Sequence, residues 1–184
     1  MCDMNHPICP TTLAPWLDNR IRRLIHNPDR IFSGLVKPGD FVMDFGCASG
    51  TFTFDLARMV GESGRVYAVD IQQEMLDKLA KKAAGLKLPQ LKLVKSGIDG
   101  IGVTEKLDFA LAFWVVHEVL DQEKMFKEIS GLLKTGGKLL VAEPLFHVPK
   151  KTFEKTVGTA IRQGLAPVGP VSVFLSKAMV FEKK

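Results

Sequence analysis

The sequence predicts an α/β fold in which a doubly wound parallel sheet carries helices on both faces. Short apolar runs alternate along the chain with segments of helical periodicity, and this alternation is typical of parallel strands joined by crossover helices. A loop of small residues, 46–50, joins the first strand to the next helix. Ligands of such folds bind beyond the carboxyl ends of the strands, where Asp44, Asp70 and Glu143 fall.

The composition describes one ordinary globular domain. The chain has 184 residues, of which 46% are hydrophobic and 24% are charged, enough for a single core. No apolar run is long enough to span a membrane, and the first residues lack the basic and apolar regions of a secretory signal. Three cysteines are too few for a disulfide framework, so we expect a cytoplasmic protein. The net charge of +5 is compatible with an anionic partner but weaker than a nucleic-acid signature.

We predict an N-terminal arm and helix over residues 1–27 and a single domain over residues 28–184. The arm is rich in proline, and the helix that follows it has one apolar stripe. Cys2, His6 and Cys9 have spacings that a metal could use, but a frayed terminus makes a poor metal site. No metal is therefore predicted.

Breaker residues divide the domain into further strands and helices. Strands are expected at residues 41–44, 65–70, 91–96, 107–113 and 138–143, with a turn at 134–137 before the last of these. Helices are expected at residues 27–34, 51–60, 72–84, 121–133 and 150–163. The tail from residue 165 is expected to form two strands. Pro167 and Pro170 place the first of them at a sheet edge, because proline cannot donate a ladder hydrogen bond.

The loop at residues 46–50 fits neither common phosphate-binding pattern. A dinucleotide fingerprint requires glycines where the chain has Ala48 and Thr51, and a P-loop requires a lysine that is absent here. The carboxylate of Asp44 would repel a pyrophosphate and attract an ammonium or sulfonium group. Asp70 ends the next strand, where an acid in doubly wound folds binds ribose hydroxyls. These acids favour a ligand with a cationic end, such as an amino acid conjugated to a nucleoside.

The segment VMDFGCASG, residues 42–50, resembles the first motif of class I S-adenosylmethionine (SAM) dependent methyltransferases of the type 11-like kind. That motif is Asp/Glu-x-Gly-x-Gly-x-Gly, and Ala48 replaces its middle glycine. LKTGG at residues 133–137 is similar to the family's Leu-Lys-Pro-Gly-Gly turn. The resemblance covers roughly residues 28–184. It implies a Rossmann-like, mostly parallel sheet of seven strands that ends in an antiparallel pair.

The resemblance also implies SAM as cofactor and S-adenosylhomocysteine (SAH) as product. Asp44 would bind the ammonium group of the methionine end, residues 46–50 would pass beneath that end, and Asp70 would bind the ribose. The full set of cofactor-binding residues expected is Asp44, Gly46, Cys47, Ala48, Gly50, Asp70, Ile71, Gly97, Ile98, Phe113 and Trp114. Of these, Cys47 is expected to be a small buried thiol rather than a nucleophile.

The adenine side departs from the family pattern. Many members have an aspartate after the third strand that bonds the adenine amino group, and the matching position here is Gly97. Ile71 and Ile98 would flank the adenine, or Asp99 would substitute for the missing acid from a shifted loop. At the end of the fourth strand, Phe113 and Trp114 would lie near the transferred methyl group, where ring faces suit a sulfonium cation.

A general base is required where the acceptor loses a proton on methylation. His117 follows the fourth strand and is the best placed candidate, since imidazole accepts protons near neutral pH. The alternative is a structural histidine that bonds a loop carbonyl. His147, after the fifth strand, is a second and weaker candidate.

Three functions compete at this point. The leading one is a methyltransferase for a small-molecule acceptor, because the chain is short and shows no added RNA-binding segment. The first alternative is a methyltransferase acting on RNA or protein, which the basic charge balance suggests. The second is a non-catalytic SAM-binding module, which Gly97 suggests. An NAD-dependent oxidoreductase is the least favoured, because the loop lacks the dinucleotide pattern. Neither the acceptor nor the oligomeric state follows from the sequence.

Overall fold

The computed structural model of this chain describes residues 26–97 and 99–184. Within these ranges one sheet contains seven strands: β1 (Phe41–Phe45), β2 (Arg65–Asp70), β3 (Leu91–Lys95), β4 (Leu107–Phe113), β5 (Leu133–Pro144), β6 (Leu165–Pro170) and β7 (Ser176–Lys183). The α-helices of the same ranges are α1 (Pro28–Ile31), α2 (Thr53–Val60), α3 (Gln73–Ala83), α4 (Gln122–Leu132) and α5 (Lys150–Arg162). The arm and helix predicted before residue 26 lie outside the described residues, as does Ile98.

The strand order is β3-β2-β1-β4-β5-β7-β6. The first five strands of the chain run parallel, and β7 lies antiparallel between β5 and β6. This confirms the predicted seven-stranded, doubly wound sheet with its C-terminal antiparallel pair. It also confirms the edge position of the strand that contains Pro167 and Pro170. The order reverses between β1 and β4, and that reversal opens a crevice beyond their carboxyl ends.

Helices cover both faces of the sheet. Val42 and Met43 are consecutive in β1 yet belong to two different apolar clusters, as expected when side chains alternate between faces. One cluster packs against α4 and α5 and includes Met43, Ala110, Met125, Phe126, Ile129, Leu139, Phe153 and Phe181. The other packs against α1 and α2 and includes Ile31, Val42, Leu56, Val60, Phe109, Leu111 and Leu140. Both faces of the central strands are therefore buried, which explains their continuous apolar sequences.

Two predicted boundaries are wrong. The helix expected at residues 27–34 is only α1, although Asn27 caps it by accepting the N–H of Arg30. The chain turns directly after it, since the carbonyl of Phe32 accepts the N–H groups of Leu35 and Val36 and Gly34 within that turn has φ 72°. A helix at this position is therefore one turn long.

The turn expected at residues 134–137 is instead a bulged part of β5. Leu133 pairs with Leu107, and the register shifts before Lys138 pairs with Phe109. Two glycines make the bulge: Gly136 has φ 79°, and a Cβ on Gly137 would lie 3.0 Å from the carbonyl oxygen of Leu107. The strand therefore begins five residues earlier than its apolar pattern indicates.

Candidate functional site

The loop at residues 46–50 crosses the crevice between β1 and the neighbouring strands. The backbone N–H groups of Gly46 and Cys47 donate to the carbonyl of Val69 in β2, at 2.8 and 3.0 Å. On its other side the loop touches the segment after β4, since a Cβ on Gly46 would lie 2.3 Å from Cγ2 of Val115. Gly46 and Gly50 have φ angles of 72° and 96°. Position 46 therefore requires glycine, because its φ is left-handed and because a Cβ atom there would collide with Val115.

Asp70 holds this loop to the end of β2. Its Oδ2 atom accepts the N–H of Ala48 at 2.8 Å, and its Oδ1 atom accepts the N–H of Gln72 at 2.9 Å. Burial raises the pKa of Asp70, and the backbone N–H groups that bond the carboxylate oppose that rise. Ala48 has φ 47°, in the left-handed region that favours glycine. Ala48, which replaces the middle glycine of the resembled motif, therefore has a strained backbone conformation.

Asp44 lies in the crevice with 3% of its surface exposed. The hydroxyl of Thr53, the first residue of α2, donates to its Oδ2 atom at 2.7 Å. Burial raises the pKa of Asp44 to about 6, the bond from Thr53 opposes this, and the charge of Asp70 adds to it. A buried carboxylate of this kind is stabilised when a cation enters the site. The adjacent Cys47 is buried, which raises the pKa of its thiol well above the ordinary value, so it is not a thiolate nucleophile.

The residues predicted for the adenine side lie at the ends of β2 and β3. Ile71 directly follows Asp70 and is 51% exposed, so its side chain is available to a ligand. Gly97 follows β3 and exchanges backbone hydrogen bonds with Gly100, at 3.0 and 3.2 Å, across a tight turn. Asp99 is exposed within that turn. A Cβ atom added at Gly97 would have no neighbouring atom within 4 Å, so the space beside this residue is open.

Aromatic rings line the crevice on the β4 side. Phe113 is buried and packs 4.7 Å from the ring of Phe52, so it forms a wall rather than an open surface. Trp114 stacks on Phe113 at 5.6 Å and meets Phe146 edge to face at 5.7 Å. Its φ of 58° is unusual for a bulky residue, and its indole N–H donates to Oγ of Ser176 at 2.9 Å. Strain held in this way is common at functional sites.

His117 lies in the 3-10 turn Val116–Glu118, directly after the strand end that carries Trp114. Its Nδ1 atom donates to Oε2 of Glu143, and its backbone N–H donates to Oε1 of the same carboxylate at 3.2 Å. The ring of His147 lies 4.8 Å away. The sequence placed Glu143 at a strand end but gave it no role. Only the adjacency of β4 and β5 brings it to His117.

The described residues contain neither a cluster of metal ligands nor a membrane-spanning helix. Among residues 26–97 and 99–184, no three His, Cys, Asp or Glu side chains are arranged to hold a metal ion. Cys2, His6 and Cys9 lie outside the described residues. No helix in the described part of the chain is both long and apolar enough to cross a membrane.

A comparison with protein families identifies the domain that contains this crevice. A family model described as a methyltransferase domain matches residues 36–164. A demethylmenaquinone methyltransferase of Lactobacillus johnsonii is 35% identical over 111 residues, which are 59% of this chain and 45% of the relative. A protein of the same name from Bacillus mycoides is 30% identical over 109 residues, 59% of this chain and 46% of the relative. The chain thus spans a little under half the length of these curated relatives.

Solved structures share the fold. A SAM-dependent methyltransferase from Aquifex aeolicus superposes with a TM-score of 0.85 at 22% identity, covering 95% of this chain and 98% of that one. Fibrillarin of Aeropyrum pernix, solved with bound SAM, superposes with a TM-score of 0.65 at 18% identity, covering 80% of this chain and 68% of that one. At these identities the likeness establishes the architecture.

Proposed function

Since this chain belongs to the family of SAM-dependent methyltransferase domains, we propose that it transfers the methyl group of SAM to a small-molecule acceptor. One observation carries the proposal. Asp44, the loop at residues 46–50 and Asp70 lie together at the crevice where the strand order reverses. In that arrangement the carboxylate of Asp44 can bind a cation, and the carboxylate of Asp70 can bind hydroxyl groups. The loop between them lets a ligand come close to the backbone.

The three features match the parts of SAM in order along the sheet edge. Asp44 binds the ammonium group of the methionine end, which restores a charge partner to a buried carboxylate. The loop at residues 46–50 passes beneath that end, because its small residues let the backbone approach a ligand closely. Asp70 binds the ribose hydroxyls, and Ile71 packs on the adenine. Gly97, which has open space, leaves room for the ring edge.

The chemistry requires little from the protein beyond positioning. The sulfonium of SAM is already a good electrophile, so the enzyme holds the acceptor atom in line with the methyl group. Trp114 and the residues that follow it border the same crevice on the β4 side. These residues would hold an acceptor for in-line attack on the methyl group.

A small and largely apolar acceptor fits this border. Phe146 and Leu145 are 74% and 48% exposed in the loop after β5, next to Trp114. The matching relatives are named for demethylmenaquinone, a small molecule. We therefore propose an acceptor of similar size and polarity, and a cytoplasmic site of action. The net charge of +5 gives the RNA or protein alternative its support.

Methyl transfer from tritiated SAM tests the proposal. The purified protein is incubated with reduced demethylmenaquinone of short side chain, and in parallel with the small-molecule, RNA and protein fractions of a cell extract. We expect label in the quinol or in the small-molecule fraction. Label in RNA that declines steeply with salt would replace the small-molecule assignment with the RNA one. Tight SAH binding with no label in any fraction would favour a non-catalytic SAM-binding module.

A further inference from the structure

We propose that His117 and Glu143 form a proton-accepting pair, in which Nε2 of His117 removes the proton that the acceptor loses on methylation. Glu143 is the positioning residue of the pair. This inference rests on the proposed function, because it concerns the acceptor side of the same crevice. It adds a requirement to the substrate: the nucleophilic atom carries a proton, as in a hydroxyl, a primary or secondary amine, or the carbon of a phenol-like ring.

One carboxylate fixes His117 at two points. Oε1 of Glu143 accepts the backbone N–H of His117 at 3.2 Å, and Oε2 accepts from the ring at Nδ1. Glu143 is fully buried at the end of β5, whereas the His117 side chain is 15% exposed. A buried carboxylate with both oxygens on one residue determines the position and the tilt of its imidazole. A histidine exposed on the surface would not need a buried carboxylate to fix the position of its ring.

The bond to Glu143 also determines the tautomer. Since a carboxylate cannot donate, Nδ1 carries the proton and Nε2 of the neutral ring is left as the basic atom. Glu143 bonds Nδ1 and so leaves Nε2 as the second nitrogen of a side chain that is 15% exposed. An orienting acid behind a histidine is the usual way for proteins to hold an imidazole ready to accept a proton.

The charged surroundings favour protonation of the ring. Burial by itself lowers the pKa of His117, but the bond to Glu143 and the charges of Glu143 and Glu118 outweigh it and raise the pKa above its ordinary value. Oε1 of Glu118 lies 3.8 Å from Nε2. The ring of His147 meets that of His117 edge to face. Lys177 is the register partner of Glu143 in β7, and its ammonium donates to the carbonyl of Val148.

The transfer step balances without a further reactant. The acceptor atom forms a bond to the methyl carbon, and the carbon–sulfur bond breaks with its electron pair moving to sulfur. The sulfonium becomes the neutral thioether of SAH, while the proton of the acceptor atom moves to Nε2. The resulting imidazolium is stabilised by the two acids beside it and returns its proton to solvent, which reaches the partly exposed side chain.

Nitrogen NMR of the SAH complex tests the pair without knowledge of the acceptor. The chain has 4 histidines, and the His117→Gln spectrum identifies the signals of His117. We expect the Nδ1–H tautomer in the neutral ring and a pKa above that of an exposed histidine. Glu143→Gln should lower that pKa and mix the tautomers, while the matched variant Glu118→Gln should lower it less and keep the tautomer. An Nε2–H tautomer in the unmodified protein would overturn the inference.

The rate of methyl transfer to reduced demethylmenaquinone supplies a second readout. We expect kcat/KM to rise with pH through the pKa of His117, and His117→Gln to lower it about 100-fold, as for loss of a general base. Glu143→Gln should move the rising limb to lower pH and lower the plateau. SAH affinity should stay within about twofold in both variants, because neither residue is assigned to the cofactor. A His117→Gln variant that keeps its rate would refute the pair, whereas failure of the unmodified protein to bind SAH would refute the proposed function itself.

Discussion

Asp70 accepts the backbone N–H of Ala48 at 2.8 Å, which joins the end of β2 to the loop that follows β1. The acid assigned to the ribose therefore also shapes the loop assigned to the methionine end. Asp70, through its two backbone partners Ala48 and Gln72, couples the two halves of the proposed cofactor site.

The ribose contact can be separated from this structural role by a two-ligand comparison. The unmodified protein should bind SAH about tenfold or more tightly than its 2′-deoxy analogue, because a hydroxyl bonded to a carboxylate contributes roughly 1.5–3 kcal/mol. Asp70→Ala should weaken both ligands and remove the difference between them, since the loop effect is common to both. Calorimetric titration measures all four affinities. A difference that persists in Asp70→Ala would place the 2′-hydroxyl elsewhere.

Asp44→Asn should stabilise the free protein while it weakens SAH binding. The pKa of Asp44 is raised from 3.8 to about 6 in the folded chain, so between these values the folded chain binds more protons than the unfolded chain. The free energy of unfolding therefore decreases as pH rises through this window. At neutral pH the ionised Asp44 lowers the stability of the folded chain. Removing it should raise the free energy of unfolding at pH 7.5 by roughly 1–3 kcal/mol.

Denaturant unfolding at pH 4 and pH 7.5 checks that sign. The gain from Asp44→Asn should be present at pH 7.5 and nearly absent at pH 4, where the carboxyl of the unmodified protein is protonated. Asp77→Asn is a suitable control, because Asp77 is exposed on α3 and accepts from Gln73 outside the crevice. A destabilised Asp44→Asn variant at pH 7.5 would contradict this sign, because it would show that the bond from Thr53 to the carboxylate outweighs the cost of burying the charge.

Gly46 and Gly34 form a matched pair for testing the close approach of the loop. Both have φ 72°, but a Cβ on Gly46 would lie 2.3 Å from Val115, whereas nothing lies within 4 Å at Gly34. Gly34→Ala should cost about 1 kcal/mol for the left-handed conformation alone. Gly46→Ala should cost a further 1–3 kcal/mol or so for the clash, and should weaken SAH binding.

A double-mutant cycle isolates that clash. Val115→Ala should recover part of the loss in the Gly46→Ala background, although it destabilises the unmodified protein by itself. Thermal unfolding of the four proteins gives the coupling free energy between the two sites. Strict additivity would contradict the contact between the loop and the segment after β4.

Ala48→Gly should be neutral or stabilising, against the usual direction of an alanine-to-glycine change. The left-handed φ of 47° is strained for alanine, so glycine should remove a penalty of about 1 kcal/mol from the folded state. The greater conformational freedom of glycine in the unfolded state offsets most of this gain. Ala80→Gly is the control, since Ala80 is an exposed interior residue of α3 where glycine costs about 1 kcal/mol. Equal destabilisation by the two changes in a thermal melt would mean that Ala48 is unstrained.

Local patterns in the sequence were sufficient for most of the sheet. The bounds predicted for the second and fourth strands, 65–70 and 107–113, are those of β2 and β4. Apolar runs bounded by turn residues are unambiguous when both faces of a strand are buried. Asp121 was correctly predicted to begin a helix, and its side chain accepts the N–H of Lys124 at the start of α4.

The pairing of His117 with Glu143 was not predictable in the same way. The two residues lie on different sides of α4 in the chain, and they meet because β4 and β5 are adjacent with Phe113 opposite Ala142. A sequence pattern identifies strand ends but does not give this register. The early start of β5 was missed for a related reason, since its bulge depends on how closely Gly137 approaches the carbonyl of Leu107.

Calorimetric titration with SAH tests the central claim most directly. With NAD as control, and Asp44→Ala and Asp70→Ala alongside, we expect micromolar binding of SAH to the unmodified protein, weaker binding to both variants and no response to NAD. That result would establish the crevice at the strand reversal as a SAM site. Absence of SAH binding to a protein that is folded by circular dichroism would contradict the account, because the loop at residues 46–50 would then serve another ligand or none.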